Sequence, residues 1–224
     1  MPIDYTRRPK GPATPPPGPV SLSKVTLTKA APAVSLTKQG ATTGVLRVNL
    51  NWNTGPTRGG MFGRRAASSI DLDLGCLYEF VDGSKGVVQA LGNTFQAGLP
   101  GFGEPVIWLD GDDRSGNQSG GENLFIDLRH AARIRRILVF ALIYEGVPNW
   151  AAADGVVTLF PVSGPQVEVR LDESRPGARI CAIAMIESVG GDLSVRREGR
   201  YIDGGQQSLD RAYGWNMTWT SARK

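Results

Sequence analysis

The feature that most constrains the fold is the alternation of apolar and polar side chains along many short segments. Successive side chains of a strand point to opposite faces, so a period of two with one apolar face indicates a half-buried strand. The segments with this alternation are Leu46–Trp52, Ile70–Phe80, Val167–Leu171 and Tyr213–Trp219. Two further runs, Ile137–Tyr144 and Ile180–Ile186, are apolar on both faces, which is typical of central strands.

Glycine is frequent between these segments, and the chain of 224 residues contains 29 glycines. Helical periodicity is weak, apart from a turn near residues 128–132. The longest apolar run has eight residues, far short of the roughly 18–20 that a membrane-spanning helix needs. We therefore predict an all-β fold, a β-sandwich of two mostly antiparallel sheets with long Gly-rich loops, one of them at residues 54–68.

The N-terminal segment differs in composition from the remainder. Eight of the 15 prolines fall within residues 1–32, and residues 1–38 carry six basic side chains and one acidic side chain. We predict a disordered, basic, Pro-rich arm over residues 1–32, followed by a sandwich domain over residues 33–224. A short repeat crosses this boundary, since Val25–Lys29 (VTLTK) recurs as Val34–Lys38 (VSLTK). Only one copy is expected to form the first strand, and the other would be a spare copy or a docking segment.

Cysteine usage and charge limit the function classes. Cys76 and Cys181 stand alone in apolar segments, so neither a disulfide framework nor a zinc ribbon is expected. No apolar leader segment is seen, and the expected location is the cytoplasm. Beyond residue 38 the chain carries 19 basic and 20 acidic side chains. This nearly neutral body gives no reason to expect a nucleic-acid partner.

The segment Leu109–Glu122 (LDGDDRSGNQSGGE) is the most informative for chemistry. It combines one arginine and four glycines with four carboxylates, which are Asp110, Asp112, Asp113 and Glu122. Clustered carboxylates repel one another unless a cation or several donors offset them, and Ca²⁺ takes six to eight oxygen ligands. The spacing does not fit an EF-hand, and the flanking segments have strand patterns. Without an ion, the segment would be an ordinary Asp/Gly turn.

A second acidic pair strengthens the case for a cation site. Asp71 and Asp73 lie two residues apart on a predicted strand, so both side chains leave the same face. Their alternative reading is a solvated strand face. If that face meets the acidic loop, the two elements form an all-oxygen Ca²⁺ site. The predicted ligands are Asp71, Asp73, Asp110, Asp112, Asp113 and Glu122.

At these residues the sequence resembles the TerD superfamily of tellurite-resistance and stress-response proteins, and within it the TerA branch. The resemblance covers about residues 33–220, and its motifs occur in a specific order. They are Val34–Lys38 (VSLTK), Val48–Trp52 (VNLNW), Ile70–Cys76 (IDLDLGC), Lys85–Asn93 (KGVVQALGN), Leu109–Gly116 (LDGDDRSG), Gly120–Leu124 (GGENL) and Tyr213–Trp219 (YGWNMTW).

The resemblance implies a β-sandwich that binds Ca²⁺ through a D-L-D strand and a G-D-N-x-x-G…G-D-D-E loop. The D-L-D carries over to Asp71 and Asp73, and the first half of the loop to Gly111, Asp112 and Gly116. This chain has Asp113 where the pattern has Asn. The second half departs from the pattern, because Gly120-Gly121-Glu122 replaces Gly-Asp-Asp-Glu. The resemblance therefore implies that one of two Ca²⁺ sites is weak or absent.

We hypothesise a Ca²⁺-binding, non-catalytic scaffold or sensor of a bacterial tellurite-resistance and chemical-stress response. Its expected partners are other proteins of a stress-response assembly. Two alternatives remain open. One is a divalent-cation-dependent phosphoester enzyme acting at the acidic loop. The other is a module that the basic arm tethers to a partner or to the anionic inner face of the membrane.

Other polar residues are expected to have structural roles. His130 has no partner motif for acid–base or nucleophilic catalysis, and two separated cysteines offer no route to tellurite reduction. Two arginine clusters could hold an anion, tellurite included, although solvated strand ends are the simpler interpretation. The clusters are Arg133, Arg135 and Arg136, and Arg196, Arg197 and Arg200.

Overall fold

A computed structural model describes residues 24–40, 43–52, 70–111, 120–146, 150–172, 177–189 and 192–220. These residues form thirteen strands and two short α-helices. The strands are β1 (Lys24–Thr26), β2 (Ala33–Ser35), β3 (Val45–Asn51), β4 (Asp71–Phe80), β5 (Lys85–Val88), β6 (Gln96–Gly98), β7 (Pro105–Leu109), β8 (Glu122–Asp127), β9 (Ile134–Glu145), β10 (Gly155–Phe160), β11 (Gln166–Leu171), β12 (Ile180–Val189) and β13 (Asp192–Ile202). The helices are α1 (Trp150–Ala153) and α2 (Gln206–Tyr213).

The strands form two sheets, which confirms the predicted all-β sandwich. The seven-stranded sheet has the order β1-β11-β10-β3-β8-β7-β6, and the six-stranded sheet has the order β2-β13-β12-β9-β4-β5. Every pairing in them is antiparallel except that of β1 with β11. Neither helix in the described part of the chain is long and apolar enough to cross a membrane.

Strands β9 and β12 confirm the prediction of central strands, because each has a hydrogen-bonded neighbour on both sides. Their apolar side chains divide between two cores. Along β9, Val139 and Ala141 belong to the core between the sheets, whereas Phe140 and Leu142 belong to a second cluster on the outer face. This division explains why the run is apolar on both faces.

The outer face of the six-stranded sheet is covered by α2 and by the segment that follows it, residues 214–220, which we call the strap. Leu209 of α2 and Trp215 of the strap are fully buried in the second cluster. The Trp215 Nε1 donates a hydrogen bond to the Tyr78 carbonyl oxygen at 3.0 Å. The guanidinium of Arg136 lies 3.8 Å from the Trp215 ring. Burial of this face extends to β4, whose polar positions are also largely inaccessible to solvent.

The prediction of a strand over Tyr213–Trp219 is wrong. Tyr213 ends α2, and the strap forms no sheet ladder. Its backbone is held instead by the buried carboxylate of Asp210, which accepts hydrogen bonds from the backbone N–H groups of Asn216 and Met217. An extended segment fixed in this way alternates its side chains as a strand does, so the sequence pattern cannot distinguish the two.

The expectation that only one copy of the repeat forms a strand is also wrong. The first copy overlaps β1, which pairs with β11 at the edge of the seven-stranded sheet. The second copy overlaps β2, which pairs with β13 at the edge of the six-stranded sheet. The equivalent leucines, Leu27 and Leu36, are both buried in the central core. The sandwich therefore begins at or before Lys24, within the predicted arm, while residues 1–23 lie outside the described residues.

Candidate metal site

Two carboxylates lie side by side on β4. Asp73 stands opposite Leu142 of β9, so both side chains are on the outer face of the six-stranded sheet. Asp71 shares this face because it is two residues away, while Leu72 and Leu74 point into the central core. Asp71 is 7% exposed and Asp73 is 3% exposed. The predicted pairing on one strand face is present, but the face is buried and not solvated.

Glu122, the first residue of β8, reaches the same stretch of β4 from the other sheet. Its side chain is 2% exposed, and its Oε2 accepts a hydrogen bond from the Leu74 N–H at 2.6 Å. Pairing of β4 with β5 covers only Cys76–Glu79. The Leu74 N–H therefore lies on a stretch of the β4 edge that β5 does not reach. The Glu122 carboxylate therefore contacts β4 at Leu74, the residue next to Asp73.

The backbone around Glu122 is fixed by two neighbouring residues. Gly121 has a φ of +62°, and a Cβ at this position would collide with the Leu50 carbonyl oxygen. The Asn49 Nδ2 donates hydrogen bonds to the carbonyl oxygens of Gly120 and Glu122, on either side of Gly121. No side chain fits at position 121 in this conformation. The backbone conformation therefore explains why this position has glycine where the family pattern has an acidic residue.

Asp110 lies on the opposite side of β8 from Glu122. Its exposed carboxylate accepts hydrogen bonds from the Asn123 Nδ2 at 2.7 Å and from the Asn123 N–H at 3.2 Å. The Asn123 side chain in turn contacts Arg47 and Asn49 on the outer face of the seven-stranded sheet. Adjacent residues of a strand point to opposite faces, so Asp110 is turned away from the carboxylate of Glu122.

The predicted ligands Asp112 and Asp113 lie outside the described residues. Within the described ranges, no group of three or more His, Cys, Asp or Glu side chains is arranged to hold a metal ion. Three buried carboxylates, those of Asp71, Asp73 and Glu122, lie along the same stretch of β4. Such hard oxygen donors fit Ca²⁺ and do not fit a soft transition metal.

The two arginine clusters are dispersed by the fold. In the first, Arg135 and Arg136 both form ion pairs with Glu79, at 2.9 and 2.6 Å. In the second, Arg196 pairs with Glu198 at 2.7 Å. Arg200 lies 5.5 Å from the Tyr213 ring. Arg197, the third arginine of the second cluster, lines a groove at the edge of the sandwich where β1 and β2 lie.

The side chains that redox or acid–base chemistry would use are Cys76, Cys181 and His130. Cys76 and Cys181 are both buried free thiols. Burial raises the pKa of Cys76 well above its usual range, which disfavours the reactive thiolate. His130 lies in a 3₁₀ turn, edge-on to the ring of Phe102 at 5.6 Å. Its Nε2 is 4.0 Å from the buried carboxylate of Asp127.

Two known proteins similar to this chain are named for tellurium or telluride resistance. A tellurium resistance protein TerA from Alcaligenes sp. is 46% identical over 207 residues, which is 92% of this chain and 60% of that protein. The chain thus spans about three fifths of the length of this relative. A crystal structure of a homologue of the telluride resistance protein TerD, from Streptomyces coelicolor A3(2), is 19% identical. The match covers 72% of this chain and 92% of the chain in the crystal structure, with a TM-score of 0.49. No protein-family model matches the chain.

Proposed function

Because the chain belongs to the TerD/TerA-like tellurium resistance family, we propose that it is a Ca²⁺-binding, non-catalytic scaffold or sensor in resistance to tellurium compounds. Its partners in this proposal are other proteins of a cytoplasmic stress-response assembly. The relative's name supports the role in resistance. The Ca²⁺ proposal is supported by the chain's own carboxylates.

The observation that carries the Ca²⁺ proposal is the burial of Asp71, Asp73 and Glu122 near one stretch of β4. Moving a carboxylate out of water is costly unless a cation or donors compensate its charge. Asp71 and Asp73 leave the same strand face, so each raises the cost of ionising the other. A divalent cation would add positive charge that offsets the mutual repulsion of these carboxylates.

The residues have distinct roles in this proposal. Asp71 and Asp73 would hold the ion from β4, and Glu122 would hold it from β8, while its Oε2 also accepts the Leu74 N–H. Asp112 and Asp113 are included on the sequence pattern alone. Asp110 is excluded, because its carboxylate faces Asn123 on the other side of β8. When bound, Ca²⁺ would supply positive charge that joins the two sheets at this end of the sandwich.

Calorimetric titration of the chelator-treated full chain tests the proposal. We expect saturable Ca²⁺ binding by the wild-type protein and none by the D71N/D73N double variant, which keeps side-chain size and removes two charges. D110N is the matched control, since it loses one carboxylate of the same sequence cluster and should bind as the wild type does. Unchanged affinity in D71N/D73N would contradict the site, and a loss in D110N alone would contradict its geometry.

Thermal unfolding of the same samples separates a structural ion from a regulatory one. A ligand at a hundred times its Kd stabilises the folded state by about 2.7 kcal/mol. Tight binding with a large rise in Tm would indicate a scaffold whose ion is permanent. A sensor would instead bind Ca²⁺ in the micromolar range, where sensor proteins respond. Its Tm would rise only slightly at cellular Ca²⁺ concentrations.

A further inference from the structure

The edge of the sandwich that carries both copies of the repeat contains a basic groove remote from the carboxylates of β4. The groove has a volume of about 300 Å³ and spans both sheets. Its polar lining residues are Thr26, Thr28, Lys29, Arg170, Asp172 and Arg197. They come from β1, the connection to β2, β11 and β13, so residues far apart in the sequence meet there.

The cations of this groove are only partly neutralised. Arg170 lies 3.3 Å from Glu168, which also accepts a hydrogen bond from the Lys24 Nζ at 2.7 Å. In the part of the chain that the structure describes, Lys29 and Arg197 have no carboxylate within ion-pair distance. The groove lining therefore carries the positive charges of Lys29, Arg170 and Arg197 against the one negative charge of Asp172, an excess of two. Beside the groove, Lys24 and Glu168 offset each other.

The groove is held by backbone contacts and is not a loose group of surface side chains. The turn that carries Lys29 is closed by hydrogen bonds from the Ala31 N–H to the Thr28 Oγ1 and from the Thr28 N–H to the Ala31 carbonyl oxygen. The Arg197 N–H donates to the Pro32 carbonyl oxygen at 2.6 Å, which fixes β13 against this turn.

Arg197 is itself positioned by a glycine. Gly199 has a φ of +54° next to an irregularity in the pairing of β12 with β13. A Cβ at Gly199 would collide with the Arg197 guanidinium. The guanidinium therefore packs on the bare backbone of Gly199.

We propose that this groove binds a small oxyanion of charge −2, with Arg197 and Lys29 as its principal ligands. Guanidinium and ammonium groups donate charge-assisted hydrogen bonds to oxyanions, and the planar guanidinium can donate two in parallel. The Thr28 hydroxyl accepts from Ala31 and retains its proton to donate to the anion. The excess of two positive charges matches a doubly charged oxyanion.

NMR titration of the full chain at constant ionic strength tests this proposal, with chloride as the blank and inorganic phosphate as the first probe. We expect saturable shifts at the amides of Thr28, Lys29 and Arg197. Binding should weaken about tenfold or more in R197Q and in K29Q, because each removes a charge-assisted contact. R211Q is the matched control, since it makes the same charge change on the exposed side of α2 and should bind as the wild type does.

Tellurite is the second probe, because it asks whether the groove is selective among oxyanions. Shifts with both anions support a general oxyanion site, and shifts with tellurite alone support a selective one. The proposal is overturned if neither anion gives saturable shifts at these amides, or if R211Q weakens binding as much as R197Q does. K29Q lies on an exposed turn, so its effect remains interpretable if R197Q proves unstable.

Discussion

Replacing Asp210 by alanine is expected to lower the free energy of unfolding by about 3–5 kcal/mol, because three donors of the strap lose one buried, charged acceptor at once. Its Oδ1 accepts the Asn216 N–H at 2.8 Å. Its Oδ2 accepts the Met217 N–H at 2.9 Å and the Trp219 Nε1 at 2.8 Å. These bonds hold the strap against the six-stranded sheet. Without them, the apolar surface around Trp215 would open to water.

Denaturant unfolding of the full chain measures this effect. D210N keeps the size of the side chain and one acceptor oxygen, so it should lose less stability than D210A. Arg211→Ala, one residue further along α2 and exposed, is the control and should remain within about 0.5 kcal/mol of the wild type. A D210A variant as stable as this control would show that the strap is held by other contacts.

Replacing Gly121 by alanine is expected to cost about 3 kcal/mol, since two penalties combine. A left-handed backbone costs a residue with a Cβ roughly 1–2 kcal/mol, and forcing an atom into a packed region costs about 1–3 kcal/mol. The colliding atom is the Leu50 carbonyl oxygen, which belongs to β3 and cannot rotate away as a side chain could.

Gly120 provides a matched control next to this position. A Cβ at Gly120 would meet no atom within 4 Å, and its φ is not in the left-handed region. G120A should therefore unfold at nearly the wild-type denaturant concentration, measured in chelator so that no ion contributes. Faster hydrogen exchange at the Leu74 amide of G121A would show that Glu122 has moved. Equal stability of G120A and G121A would contradict the close approach of β3 to this turn.

The sequence pattern predicts the strands wherever burial follows the alternation. Strands β3, β4 and β11 match the predicted segments to within one residue at each end, and β9 and β12 extend beyond the runs that are apolar on both faces. The pattern fails at the C-terminal end, where hydrogen bonds to the side chain of Asp210 replace a ladder. Gly214, with a φ of +65°, ends α2 in the left-handed conformation that commonly terminates helices, and is the sequence signal for that boundary.

The candidate site is predictable only in part, because the sequence does not show which face of a strand a loop joins. Asp110 and Glu122 belong to one acidic cluster in the sequence, yet β8 separates them. The basic groove is not visible in the sequence at all. Lys29, Arg170 and Arg197 meet there only because β1 and β2 close the edges of two different sheets.

Terbium luminescence tests the central claim, a cation site at Asp71 and Asp73, most directly. Tb³⁺ is a hard, oxygen-preferring substitute for Ca²⁺, and a nearby tryptophan excites its emission. The Trp52 Nε1 donates to the Ile70 carbonyl oxygen at 3.1 Å, so the indole is next to Asp71 in the structure. We predict Trp-sensitised emission that Ca²⁺ displaces and that is absent from D71N/D73N. Equal emission from the double variant would contradict the claim.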